Sequence, residues 1–129
     1  MRGFNLVTAW TLLAAGAKVW WNLRISKNGG LTLAADLARL AAGRGVPLVV
    51  GCMVGESGIL SAAQRRLLTG IPQPRFVEGN YGRFLLSDDL TTPSPRFGYG
   101  GRLGPPPKAL RVNADKLARY GTLLATLEA

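Results

Sequence analysis

The chain contains no histidine and a single cysteine, Cys52. Without histidine there is no ordinary base for a Ser–His–Asp triad, no side chain that shuttles protons near neutral pH, and no imidazole to bind a metal. Any proton transfer falls to Lys, Arg, Glu, Asp, Tyr or Cys52. One cysteine excludes an internal disulfide, which suits a reducing compartment, and a cytoplasmic location is expected. Acidic residues are also scarce: seven Asp and Glu face sixteen Lys and Arg, for a net charge of +9. That balance admits a basic binding module for nucleic acid or acidic ligands. The basic residues form no stripe, however, and Arg65-Arg66 is the only basic dipeptide, so a solvated basic surface is the favoured reading over nucleic acid. No apolar run is long enough to span a bilayer. Phe4 to Ala17 follows Met1-Arg2 in the outline of a secretory signal, but Asn5, Thr8 and Thr11 interrupt it and Lys18 stops it. A helix packed on its neighbours is expected there, and no membrane partner.

What is present is globular: 47% hydrophobic and 18% charged residues over 129 positions. That suffices for one core but not for a full β/α barrel, which takes about 250 residues. Val7 to Ala15 reads as a helix ended by Gly16. Lys18 to Ser26 reads as a strand. Its period of two puts Trp20, Asn22, Arg24 and Ser26 on one face and the apolar Trp21, Leu23 and Ile25 on the other. Gly29-Gly30 breaks it, and Thr32 is placed to cap a helix with Leu33, Leu37, Leu40 and Ala41 on one face. Gly43 and Gly45 end that helix. Pro47 to Met53 is an unbroken apolar run, as in a strand covered on both faces. Ser57 is placed to cap a helix through Leu68 with Ile59, Leu60, Ala63 and Leu67 apolar, and Arg75 to Glu78 is a third short strand.

Two crossovers in the order strand, helix, strand, helix, strand predict parallel neighbours. The expected fold is α/β: a partial (β/α) TIM-type barrel of about three strands over residues 1–78. Residues 79–129 form an irregular Gly- and Pro-rich tail, with short hairpin strands near Arg96 to Tyr99. A terminal helix runs from its cap at Asn113 to about Leu127 and packs on the barrel segment.

In such a fold the strand ends carry the chemistry. Arg24, on the polar face of the first strand, reads either as an anion-binding group or as a structural arginine paired with Glu56 or Glu78. Glu56 lies just before a helix start. It is either a catalytic acid or substrate partner, or a carboxylate that complements the helix N-terminus. Cys52 is a nucleophile if the helix start lowers its thiol pKa, and otherwise a small buried hydrophobe. Glu78 either selects substrate or closes a rim salt bridge. Gly29-Gly30 reads as a strand-to-helix turn in preference to a phosphate cradle, and Trp20 and Trp21 as core or interface.

The series Ser26-Lys27-Asn28-Gly29-Gly30-Leu31-Thr32, Val50-Gly51-Cys52-Met53-Val54-Gly55-Glu56-Ser57-Gly58, Leu85-Leu86-Ser87-Asp88-Asp89 and Phe97-Gly98-Tyr99-Gly100-Gly101-Arg102 resembles the C-terminal part of the enolase superfamily. The branch is that of mandelate racemase and muconate lactonizing enzyme. The resemblance covers roughly residues 5 to 115. It implies the sixth, seventh and eighth strands of a modified (β/α)8 barrel plus the tail that returns toward a capping domain. It implies isomerase or lyase chemistry, in which a proton is abstracted beside a carboxylate and the enediolate is stabilised on Mg²⁺. In that resemblance Arg24 stands at the lysine base of the sixth strand. Glu56 matches a rim glutamate that polarises substrate in some members, and Lys27 matches a loop lysine.

The catalytic candidates are therefore Arg24 and Glu56, and the substrate-binding candidates Lys27, Cys52 and Glu78. The acidic metal ligands of strands three to five and the lysine pair of strand two have no counterpart here. No metal site and no cofactor are expected in the chain itself. The family's Gly-Pro-Gly-Leu-Gly tail is replaced by Gly104-Pro105-Pro106-Pro107-Lys108-Ala109-Leu110. The expectation is a truncated isomerase or lyase domain, inactive alone, that self-associates or joins a partner chain completing the barrel and its metal site. Its substrate, where it is active, is a small carboxylate.

Overall fold

The computed structural model describes residues 5–79, 81–95 and 108–126. Three parallel strands, β1 (Trp21–Leu23), β2 (Leu48–Val50) and β3 (Phe76–Val77), form a sheet in the order β1-β2-β3. Trp21, Asn22 and Leu23 pair with Leu48, Val49 and Val50, and the last two of these pair with Phe76 and Val77. The crossovers are α2 (Leu31–Gly43) and α3 (Gly58–Thr69), with α1 (Leu6–Ala14) ahead of the sheet.

One sheet face is sealed. Trp21, Leu23, Ile25, Leu48 and Val50 pack with Ala34, Leu37, Ala38 and Ala41 of α2, Leu67 of α3 and Ala9 of α1 into a single core. Small alanines on α2 let that helix approach the strands closely, while Leu23, Leu37 and Val50 fill the space between. The face pattern expected for β1 holds, and α1 lies where it was expected, capped by the Asn5 side chain accepting from Thr8 N–H at 3.0 Å. Arg44 at the end of α2 lies over the Trp10 ring, 4.4 Å from its centroid, which ties the first helix to the second.

The strands are shorter than the sequence suggests. Lys18 to Ser26 yields only Trp21–Leu23. The reason is local: beyond Leu23 the backbone leaves the ladder for a turn. The Arg24 carbonyl accepts from Lys27 N–H and Asn28 N–H, both at 2.9 Å, and Arg24 N–H donates to Asn28 Oδ1 at 2.7 Å. The second strand is not covered on both faces. Leu48 and Val50 are buried but Val49, pointing the other way, is half-exposed. Its neighbours on that side, Trp20, Asn22 and Phe76, are exposed, and the Trp20 and Phe76 rings stack 5.8 Å apart.

Capping also differs from expectation. Gly30, at φ +98, takes the cap position of α2, and Thr32 falls inside the helix. The left-handed backbone there suits glycine alone, so the chain enters the helix before Thr32. Ser57 sits at the cap of α3 but its side chain makes no capping bond. The buried face of α3 is polar as well as apolar: Ser61, Gln64 and Arg65 are buried with Leu67, while Ile59 is exposed.

Beyond the sheet, α4 (Gly82–Leu85) is a single turn, and β4 (Thr91–Thr92) pairs antiparallel with β5 (Arg111–Val112). The tail is thus less irregular than its composition suggests. The hairpin expected near Arg96 to Tyr99 lies outside the described residues. α5 (Ala114–Tyr120) begins at the expected cap, with Asn113 Oδ1 accepting from Lys116 N–H at 3.0 Å. It stops at Gly121, short of the expected Leu127: the Gly121 N–H donates back to the Leu117 carbonyl at 2.7 Å and the backbone then turns extended, with ψ 157°. Leu117 and Tyr120 remain about half exposed. No helix of the described residues is long and apolar enough to cross a membrane.

Candidate active-site rim

The pairing Leu23–Val50–Val77 is the last row of the sheet. The residues that follow it, Arg24, Gly51 and Cys52, and Glu78, therefore gather at one end, the C-terminal ends of the parallel strands. In α/β folds that end is where ligands bind. Two backbone bonds fix the row: Gly51 N–H to the Leu23 carbonyl at 2.7 Å and Glu78 N–H to the Val50 carbonyl at 2.8 Å.

Glu56 joins the first two strand ends. Its Oε1 accepts from Met53 N–H at 2.7 Å, which closes its own loop, and from Ser26 Oγ–H at 3.1 Å, thirty residues away. The carboxylate is thus held in place by two donors and does not serve the helix N-terminus. Arg24 is half-buried. One terminal nitrogen reaches Met53 Sδ at 3.9 Å, and its buried Nε has no partner among the described residues. Among the described residues no carboxylate stands within ion-pair distance of Arg24, so the pairing with Glu56 or Glu78 is not formed. Cys52 is a free, partly buried thiol. Burial is the main force pushing its pKa above the ordinary thiol value. The Tyr81 backbone pulls it down, Glu56 and Glu78 add to the rise, and Arg24 opposes it. The thiol is therefore held protonated, the reverse of the activation a helix start would give. Glu78 and Lys27 are exposed, the first at the end of β3 and the second in the turn after β1, and neither forms an ion pair among the described residues. The structure thus brings Arg24, Cys52, Glu56 and Glu78 to one rim, with Lys27 on the adjoining turn.

Three contributors escape a reading of strand ends alone. Asn28 folds the Arg24 turn. Ser26 holds Glu56. Buried Gln64 on α3 donates from Nε2 to the Gly51 carbonyl at 3.2 Å and to the Glu78 carbonyl at 2.5 Å, which ties two strand ends to the helix between them. Its signal was a glutamine flanked by apolar helix positions, with Gly79 leaving room for it, since a side chain at residue 79 would collide with Gln64.

The donors present do not fit Mg²⁺. No group of three or more His, Cys, Asp or Glu side chains gathers among the described residues, and one oxygen of Glu56 is already committed to two donors. A magnesium site needs a near-octahedral set of oxygens, and this rim does not assemble one by itself.

A family model described as enolase C-terminal domain-like matches residues 1–108. This chain belongs to that family. Within it the chain stands with the mandelate racemase and muconate lactonizing enzyme branch, and its three-stranded sheet is a partial barrel. Muconate lactonizing enzyme from Pseudomonas putida is 26% identical and superposes with a TM-score of 0.77 over 90% of this chain and 32% of its own. A dipeptide epimerase from Cytophaga hutchinsonii, solved with Mg and D-Ala-L-Val, is 22% identical, with a TM-score of 0.77 over 89% of this chain and 32% of its own. An N-succinyl Arg/Lys racemase from Bacillus cereus ATCC 14579 is 22% identical, with a TM-score of 0.73 over 95% of this chain and 32% of its own. This enolase-type chain therefore spans about a third of the length of these relatives. No curated protein matches it in sequence.

Proposed function

We propose that the chain contributes one arc of an isomerase barrel whose rim binds a small carboxylate, with Arg24 as the group that holds the anion. The observation that carries this reading is the guanidinium of Arg24: half-buried at the strand ends, with Nε unpartnered and no carboxylate in ion-pair reach among the described residues. Arginine stays protonated across the working pH range, so it cannot act as a base, and its planar fork matches a carboxylate. Glu56, fixed beside it, is the second polar group a substrate meets. Muconate, dipeptides and N-succinyl amino acids, the compounds in the relatives' names, all carry carboxylates. The protonated thiol of Cys52 lines the site and does not attack.

The open sheet face with Trp20, Asn22, Val49 and Phe76 supports completion of the barrel by further β/α units. Self-association or a partner chain supplies them, and only a partner chain can bring the Mg²⁺ ligands this rim lacks. The chain by itself is inactive in this reading. Titration of the chain with muconate and with D-Ala-L-Val tests the anion site. Weak saturable binding is expected, and Arg24→Ala should weaken it about tenfold, the order of a lost charge-assisted hydrogen bond. Equal affinity in the variant would sink the assignment. Racemisation or cycloisomerisation by the chain alone with added Mg²⁺ would sink the claim of inactivity.

A further inference from the structure

The loop that carries Glu56 is held from outside as well as from within. It runs directly into α3, whose cap residue, Ser57, offers no side-chain bond. The missing acceptor comes from thirty-one residues away: Asp89 Oδ1 accepts from Gly58 N–H, the first amide of α3, at 2.8 Å, and from Thr91 N–H at 3.3 Å. The other oxygen, Oδ2, accepts from Ser94 Oγ–H at 2.7 Å. The carboxylate therefore neutralises a helix N-terminus and closes its own turn in one position. Two glycines make the approach possible. A side chain at Gly58 would run into Asp89 Oδ2 and Pro95, and one at Gly82 would run into the Glu56 carbonyl. Lys116 of α5 steadies the assembly, donating to Asp88 Oδ1 at 2.6 Å and to the Asp89 carbonyl at 3.1 Å.

We propose that Asp89 is a positioning residue for the rim: by holding the first turn of α3 it sets where the Met53–Ser57 loop, and so Glu56, stands against Arg24 and Cys52. Lys116 acts through it from α5. The consequence for ligand binding rests on the carboxylate-binding reading above, while the placement of the loop does not.

The chain's single thiol reports that placement, because Cys52 is next to Met53 and Glu56 is among the charges that keep it protonated. The experiment measures the rate at which Cys52 reacts with an aromatic disulfide, well below the melting temperature of each variant. Asp89→Ala should raise the rate about fivefold, the scale of local opening that follows loss of a helix cap. Asp89→Asn keeps an acceptor for Gly58 N–H and should bring the rate back to within about twofold of the parent. Ser94→Ala, which removes a bond to the same carboxylate without touching α3, should leave it unchanged. Lys116→Met should raise it less than Asp89→Ala.

A folded Asp89→Ala protein that reacts at the parent rate overturns the proposal, as does an Asp89→Asn protein that reacts as fast as Asp89→Ala. Should Asp89→Ala fail to fold, Lys116→Met decides: a raised rate supports the proposal and a parental rate overturns it. Muconate titration of the same proteins separates the two readings. A parent that binds no carboxylate but shows the expected thiol rates faults the assignment of Arg24 and leaves the positioning role standing.

Discussion

The two sides of the three-stranded sheet are built from the same strands and hold by different means. Toward the helices, Trp21, Leu23, Leu48 and Val50 are excluded from water, and contact there is mainly apolar, with Ser61, Gln64 and Arg65 of α3 the buried polar exceptions. On the other side, Trp20 and Phe76 meet solvent over more than half their surface, and at the strand ends the contacts become polar: Glu56 to Ser26 and Met53, Gln64 to Gly51 and Glu78, Asp89 to Gly58. Apolar packing is tolerant of detail and supplies stability. Hydrogen bonds are directional and supply placement. The sealed side keeps the sheet folded, and the rim uses that rigidity to hold charged groups in fixed relation.

The largest effect should come from the sealed side. Leu23→Ala removes a fully buried side chain at the junction of sheet and helices and should cost about 2–5 kcal/mol in urea unfolding. Phe76→Ala deletes a larger ring from the open side. It should cost less than about 1.5 kcal/mol, the value of its stacking on Trp20. If the two costs prove equal, the open side is covered in solution. Concentration-dependent unfolding would then show that a second copy does the covering.

Gln64 joins the two sides, and its substitution comes next. Gln64→Leu keeps the bulk of the side chain but leaves the Gly51 and Glu78 carbonyls without their donor. A loss of about 1–3 kcal/mol is expected, the cost of buried acceptors left unpaired. Carboxylate affinity should fall in the same protein, because both strand ends lose their anchor. Loss of stability with unchanged affinity would confine Gln64 to the core.

The apolar half of this architecture was largely readable from the chain. The alternation in Trp21-Asn22-Leu23-Arg24-Ile25 reports which side faces the helices, and the Leu and Ala spacing in α2 reports the helix that covers it. Those patterns follow from the periods of strand and helix and need no partner to be seen. Family membership and the partial barrel were likewise legible in the order of the motifs. Strand ends, caps and the polar rim were harder. Asn28 ends β1 by folding back on Arg24, which no alternation reveals. Thr32 and Ser57 had the chemistry of caps, yet a glycine backbone and a distant aspartate took those roles. A carboxylate thirty-one residues away in sequence leaves no local mark. Only the cover of the second strand was misread, for a related reason: an unbroken apolar run such as Pro47 to Met53 fits a covered strand whether or not the cover lies within the described residues.

Cys52 sits at the border between the two sides, and its titration measures how far burial reaches into the rim. The folded thiol is raised above its ordinary value of 9.0, by burial first and then by Glu56 and Glu78. The fold favours the neutral form, so this contribution to stability is complete below the ordinary value. It is lost as pH rises through the higher folded value. The urea midpoint of the parent should therefore fall above about pH 9 more steeply than that of Cys52→Ala. Identical alkaline slopes would mean that the thiol is solvated, and the boundary between sealed and open would move inward.

The smallest effect belongs to the outermost polar contact, the Lys116–Asp88 pair that fastens α5 to the Asp89 turn. Asp88 is held below its ordinary carboxyl value chiefly by the Lys116 ammonium, with help from the Asp89 amide. Its lowered folded value places any stabilisation above the ordinary carboxyl range, and that stabilisation is lost as pH falls through the folded value. The pair is exposed to solvent and salt screens it. Asp88→Asn should accordingly leave the melting temperature nearly unchanged at neutral pH and high salt, with a small deficit only at low salt. The Asp89 carbonyl would still accept from Lys116, so the turn that caps α3 should remain in place in this variant. A deficit as large as that of Gln64→Leu would show that the rim depends on α5 far more than its exposed contact implies. The division between a stability-bearing side and a placement-bearing rim would then fail at its outer edge.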